Sequence, residues 1–156
     1  MKVHIDLIYP AVNRTQPHPS FSEKRIPIVL NIGCNSWQEN TAMRQGFCNT
    51  IFAGAGNHPG NDDGQFGAPF DAGDPGINNV HGQWVKYRTR SMSVGDVVCI
   101  DPDGAREFWI CDSVGWDLLT EEQANSWLKF PRSYGCCSFE VNDWMTAELN
   151  RPLCLT

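Results

Sequence analysis

The sequence predicts an α+β domain: a small, mainly antiparallel sheet with a central β-hairpin, about three short helices and one long Gly/Asp-rich loop. Three observations carry that expectation. Apolar residues alternate with period two at the start of the chain and recur in strand-like runs on both sides of a turn tetrapeptide. Two Ser/Thr-x-x-Glu/Gln capping boxes open helical stretches. The segment 54–83 has the composition of a loop.

With 156 residues, 41% apolar and 19% charged, the chain suits a single domain over 1–156. A chain of that size buries roughly 70% of its unfolded surface, enough for one core.

The first strand is read from Val3, Ile5 and Leu7 alternating with Lys2, His4 and Asp6, and Pro10 stops it. A loop with Pro17 and Pro19 leads to a second apolar run, Ile26 to Ile32. Pro27 within it argues for an edge position, because proline has no N–H for an interior ladder. Ser36 and Glu39 form the first capping box, so a helix is expected from Trp37 to about Arg44 or Gln45, stopping at Gly46. Phe47 to Phe52 then reads as a short strand-like run.

Residues 54–83 hold eight glycines, three prolines, four aspartates and no Lys or Arg, the composition of a long irregular loop. Trp84 to Arg88 reads as a strand. Val97 to Ile100 and Glu107 to Cys111 flank Asp101-Pro102-Asp103-Gly104, whose residue types suit a turn, giving the central hairpin. Thr120 and Gln123 form the second capping box, opening a helix with Ala124, Trp127 and Leu128 on one face. Phe139 to Val141 reads as a strand, and a last helix from about Asp143 to Leu149 turns Trp144, Met145 and Leu149 inward. No repeat, heptad or low-complexity tract is present.

The opening segment mixes His4 and Asp6 into its apolar run and reads as no signal peptide. No apolar stretch approaches the roughly 20 residues of a spanning helix. A cytoplasmic protein with no membrane partner is the expectation. Seven cysteines cannot all pair, so reduced thiols are expected, with Cys99 and Cys111 in the core. Their spacing lacks the ligand pairs of a structural zinc site. Asp62, Asp63, Asp71 and Asp74 lack the EF-hand spacing, and the glycines match no phosphate-binding loop. No metal and no cofactor is expected. A net charge of −6 makes free nucleic acid an unfavourable partner.

Two features point to recognition of a macromolecule. Lys86, Arg88 and Arg90 alternate along the expected strand, which would place three cations on one face, suited to phosphate or to an acidic protein patch. Trp116 follows Gly115 in an expected turn, where an exposed Trp would anchor a partner. With Asp71 and Asp74 of the loop, these are the candidate partner-binding residues, and no residue is read as catalytic. Two other readings stand beside this one. An enzyme would use His58 or His81 as acid–base groups under the Gly-rich loop as a lid. A nucleic-acid-binding module would use Lys86, Arg88 and Arg90.

The stretch Tyr87-Arg-Thr-Arg-Ser-Met-Ser-Val-Gly-Asp-Val-Val98, followed by Phe108-Trp-Ile-Cys-Asp-Ser-Val-Gly-Trp116 and Leu118, resembles the YodL-like family. The family pattern is a basic residue, Ser, Leu, Ser, Val, Gly, Asp, Val and a hydrophobic residue, then a hairpin and an aromatic strand ending in a Ser-x-Gly-aromatic turn. Met92 stands where Leu is usual. The resemblance covers residues 84–119. It implies a protein carried by phages, plasmids or conjugative elements and assigns no catalytic residue. The expectation is a non-enzymatic accessory protein that binds a host or element-encoded protein complex, such as an anti-CRISPR or antirestriction protein.

Overall fold

The computed structural model describes residues 2–11, 23–31, 41–57, 76–101, 104–112, 115–129, 141 and 144–147. Five strands form one sheet in the order β2-β1-β3-β4-β5. They are β1 (Lys2–Tyr9), β2 (Lys24–Asn31), β3 (Val97–Ile100), β4 (Glu107–Asp112) and β5 (Gly115–Leu119). Three helices, α1 (Thr41–Phe52), α2 (Gly76–Trp84) and α3 (Glu121–Lys129), accompany them, and residues 144–147 are helical. The α+β class and the antiparallel hairpin at its centre are as the sequence predicts. The chain divides into two compact units, Met1–Asp6 with Ile26–Met92, and Leu7–Arg25 with Ser93–Thr156.

In the first unit, Ile26, Ile28 and Leu30 of β2 are buried while Pro27 is exposed and Val29 half-buried. The sheet order puts β2 at an edge, the position Pro27 calls for. Along a strand the N–H and C=O of one residue point to the same side, and residues two apart share that side. Pro27 and Val29 therefore face the same side of β2. Val29 finds its partner in a side chain: its N–H donates to Gln83 Oε1 at 2.9 Å, and Gln83 Nε2 donates to the Val29 carbonyl at 2.8 Å. The carboxamide of Gln83, braced by Asn79 Oδ1 at 2.9 Å, stands in for the peptide of a neighbouring strand and blunts the edge.

Three readings of this unit are corrected. The helix expected to stop at Gly46 instead runs through it to Phe52, so Phe47 to Phe52 is helix and not strand. Gly46, Phe47, Cys48, Thr50 and Ile51 are all buried. Packing of that face outweighs the cost of about 1 kcal/mol for a mid-helix glycine. The Ser36–Glu39 capping box lies outside the described residues. Both ends of the loop expected over 54–83 are corrected as well: residues 53–57 form a π-type turn with a kink at Ala55 and Gly56, and 76–83 belong to α2, while 58–75 lie outside the described residues. Val80 and Trp84, four residues apart, are its buried face. The strand expected at Trp84 to Arg88 is the end of α2 followed by a 3₁₀ turn, Val85–Tyr87. Residues 85–88 are all exposed, a pattern no half-buried strand shows.

The second unit is built on the β3–β4 hairpin, with Val97 opposite Ile110 and Ile100 opposite Glu107. Asp101 takes φ 57° and its carbonyl accepts from Gly104 N–H at 3.0 Å, closing the expected turn. A second hairpin follows, with Cys111 opposite Trp116 and Asp112 opposite Gly115. The turn expected at Gly115 and Trp116 is thus the start of a strand. The capping box of α3 is reciprocal, as predicted: Thr120 N–H donates to Gln123 Oε1 at 2.8 Å, and Gln123 N–H donates to Thr120 Oγ1 at 3.1 Å. Glu121 and Glu122 in the first turn and Lys129 in the last complement the helix dipole.

Cys99, Phe108, Ile110, Leu119, Ala124, Trp127, Trp144 and Met145 belong to one buried cluster. Trp127 and Trp144 meet at 5.4 Å between ring centroids, and each indole N–H is satisfied, by the Gly95 carbonyl and by Ser126 Oγ. Val141, expected in a strand, is helical; Leu149 lies outside the described residues.

Candidate partner-binding surface

The segment that follows α2 joins three kinds of side chain in four residues: Val85 (48% exposed), Lys86, Tyr87 (44% exposed) and Arg88. Val85–Tyr87 is one turn of 3₁₀ helix, and Arg88 caps it in the left-handed region at φ 50°, ψ 44°, its N–H donating to the Val85 carbonyl at 3.3 Å. The sequence found the cations from their charge but placed them on a strand face. The structure puts Lys86 and Arg88 at an exposed turn instead.

Both ends of that turn are fastened. On the α2 side, Gln83 is clamped to Val29, Trp84 is buried, and the His81 ring lies 5.7 Å from that of Trp84. Gly54's carbonyl can only accept, so His81 Nδ1, 3.2 Å away, carries the hydrogen. On the other side, Met92 N–H donates to the Ala55 carbonyl at 3.0 Å. Asn57 Nδ2 donates to both Met92 O, at 2.8 Å, and Phe52 O, at 3.0 Å. The Ser91 hydroxyl donates to the Gly56 carbonyl at 3.1 Å. Gly56, at φ 95°, has no room for a side chain: a Cβ there would overlap Ser91 Oγ and lie 2.8 Å from Trp84 Cη2. An exposed tip held at both ends enters a complex with less ordering entropy left to lose.

Arg90 is exposed, and its Nη1 donates to the Ser91 carbonyl at 3.0 Å, so part of its donor capacity is already used locally. His81, one of the two histidines of the enzyme reading, is half-buried with Nδ1 on a backbone carbonyl. His58, Asp71 and Asp74 lie outside the described residues.

The expectation of an exposed Trp116 is corrected: it is 7% exposed, an inward residue of β5 opposite Cys111. The Ser-Val-Gly-Asp stretch of the family resemblance likewise has a structural part. Asp96 N–H donates to the Ser93 carbonyl at 3.0 Å with Gly95 at φ 93°, the arrangement of a type II turn. The buried Asp96 carboxylate accepts from Ser93 N–H at 2.8 Å. Gly95 N–H donates to the Cys111 carbonyl and Cys111 N–H to the Asp96 carbonyl, so the turn leads straight into the hairpin ladder. Cys99 and Cys111 are buried in the core, as expected. Burial, and then the charges of Asp96 and Asp112, push Cys111 from an ordinary 9.0 to about 12, which leaves it a protonated, unreactive thiol at neutral pH.

Among the described residues no three His, Cys, Asp or Glu side chains gather as metal ligands, and no helix is long and apolar enough to cross a membrane. No family model matches the chain, and it matches neither a curated protein nor a solved structure. The likeness to the YodL-like family therefore rests on the residues quoted for it alone.

Proposed function

We propose that this chain is a non-enzymatic accessory protein of a phage or plasmid that acts by binding a host or element-encoded protein complex in the cytoplasm, with inhibition of a host defence system, in the manner of an anti-CRISPR or antirestriction protein, as the outcome. The observation that supports binding is the exposed Val85–Arg88 turn, which presents an aromatic, an aliphatic and two cationic side chains on a backbone fastened at both ends. Tyr and Arg are the residue types that dominate binding energy at protein interfaces. The mobile-element context is what the likeness over residues 84–119 implies.

The test is expression of the full chain in a bacterial host with an active restriction or CRISPR system, scored by phage plating and plasmid establishment, with affinity capture in parallel. A rise in plating together with a stoichiometric protein complex is expected. Unchanged plating and an empty capture would sink the proposal. Retention of nucleic acid that falls steeply with salt would point to the nucleic-acid reading instead.

A further inference from the structure

We infer that the Val85–Arg88 turn is the docking surface itself and that its occupant is an acidic protein segment, with carboxylates meeting Lys86 and Arg88 around an apolar recess that takes Tyr87. This rests on the binding function proposed above and names the chemistry of the partner.

The backbone at Arg88 is one reason. A bulky residue at φ 50° sits where glycine is at ease and other L-residues are disfavoured by about 1 kcal/mol or more. The capping bond there is made by the backbone N–H to the Val85 carbonyl, and a glycine would make it equally well. The side chain is exposed, and no hydrogen bond or ion pair among the described residues holds it. A non-glycine residue in this conformation with an exposed side chain points to a role for that side chain outside the fold.

Charge and apolar exposure coincide at the same spot. Among the described residues, no carboxylate pairs with Lys86 or Arg88. Val85, Tyr87 and Leu118 are the exposed large hydrophobic residues among those described, and Val85 and Tyr87 flank Lys86. The chain as a whole carries −6, which decides between acidic partners. Screening confines the attraction of the turn to about 8 Å in physiological salt. A short acidic segment fits within that range, whereas a nucleic-acid duplex, with a charge about every 1.7 Å, is a long polyanion that a chain of net charge −6 disfavours as a whole.

The experiment places the photo-crosslinker p-benzoylphenylalanine at position 87 of the full chain in the bacterial host, with the same substitution at Leu118 as the control. The expected result is an adduct from position 87 and none from 118, mapped to a partner peptide rich in Asp and Glu. Adding Lys86→Glu and Arg88→Glu should reduce that adduct at least tenfold. Arg88→Gly should reduce it severalfold while leaving the urea midpoint unchanged or higher, which separates loss of binding from loss of fold. Position 87 attached to a peptide without carboxylates, to a second copy of this chain or to nucleic acid would overturn the inference. So would indifference to charge reversal. A complex captured by the tagged chain without any adduct from 87 would leave the proposed function standing and remove this surface from it. No complex and no adduct would remove both.

Discussion

Alanine placed at Gly56, Gly115 and Gly82 separates two costs that a glycine can conceal, positive φ and close approach. Gly56 carries both: φ is 95°, and an added Cβ would overlap Ser91 Oγ and come within 2.8 Å of Trp84 Cη2. The left-handed backbone costs about 1–2 kcal/mol for an L-residue, and overpacking against a fixed neighbour about 1–3 kcal/mol. The sum, roughly 2–5 kcal/mol, is a large share of the about 5–15 kcal/mol that holds a typical domain. Gly115, at φ 97° with nothing within 4 Å of its Cβ position, carries the first cost alone. Gly82, in α2 with open space around it and no positive φ, carries neither, and alanine there gains about 0.5–1 kcal/mol of helix propensity. Urea unfolding followed by tryptophan fluorescence reads the series. With a slope of about 2 kcal/mol per molar urea, Gly56→Ala lowers the midpoint by about 1–2.5 M, Gly115→Ala lowers it less, and Gly82→Ala leaves it equal or raised. Gly56→Ala unfolding at the wild-type midpoint, or Gly115→Ala losing more than Gly56→Ala, would refute the reasoning, because no close approach at the π-type turn could then exist.

Further predictions follow from individual contacts. The Cys111 thiol is raised from 9.0 to about 12 in the folded chain, so between those pH values the unfolded chain releases a proton that the folded chain keeps. Stability linked to Cys111 is therefore complete below about pH 9 and is lost toward pH 12 at about 1.4 kcal/mol per unit; the difference between wild type and Cys111→Ala in unfolding free energy at pH 8 and pH 10 checks it. Thr120→Ala removes one half of the α3 capping box and should cost about 0.5–2 kcal/mol in the same urea assay. Gln83→Glu replaces a donor facing two acceptors, Val29 O and Asn79 Oδ1, with a carboxylate that only accepts, at a cost of about 1–3 kcal/mol. Acidification that protonates the introduced carboxylate should restore part of that stability, and a pH-independent deficit would contradict the assigned amide geometry.

What the sequence announces in this chain is what is local. Strand β1, the β3–β4 turn and the α3 cap are each specified by residues within a few positions of one another, and Pro27 states its edge position in one residue. Helix α2 escapes such reading because Gly76, Asn78, Asn79 and Gly82 are poor helix formers adjoining a glycine-rich stretch; the pair Val80 and Trp84, one helical turn apart, was the available signal. Gly46 fails as a helix stop because the burial that carries α1 past it comes from tertiary packing. Strand β5 is hidden by the brevity of the connection between Asp112 and Gly115, which reads as one continuous turn. At the candidate surface, charge alone picks out Lys86 and Arg88, whereas the exposed turn that displays them depends on α2. Trp116 shows the opposite case, a residue chosen for its type that the pleat turns inward.

The pairing of Gln83 with Val29 also makes one amide hydrogen a clock. The Val29 N–H has a side-chain oxygen from α2 as its acceptor, so solvent deuterium reaches it when that carboxamide lets go. The Ile28 and Leu30 amides of the same strand face the opposite side and answer to the opening of the ladder. The ratio of exchange at Val29 to exchange at its neighbours thus measures how often α2 lifts from the sheet edge while the strand itself stays in place. A protein that closes on the Val85–Arg88 turn would slow that clock without touching β2.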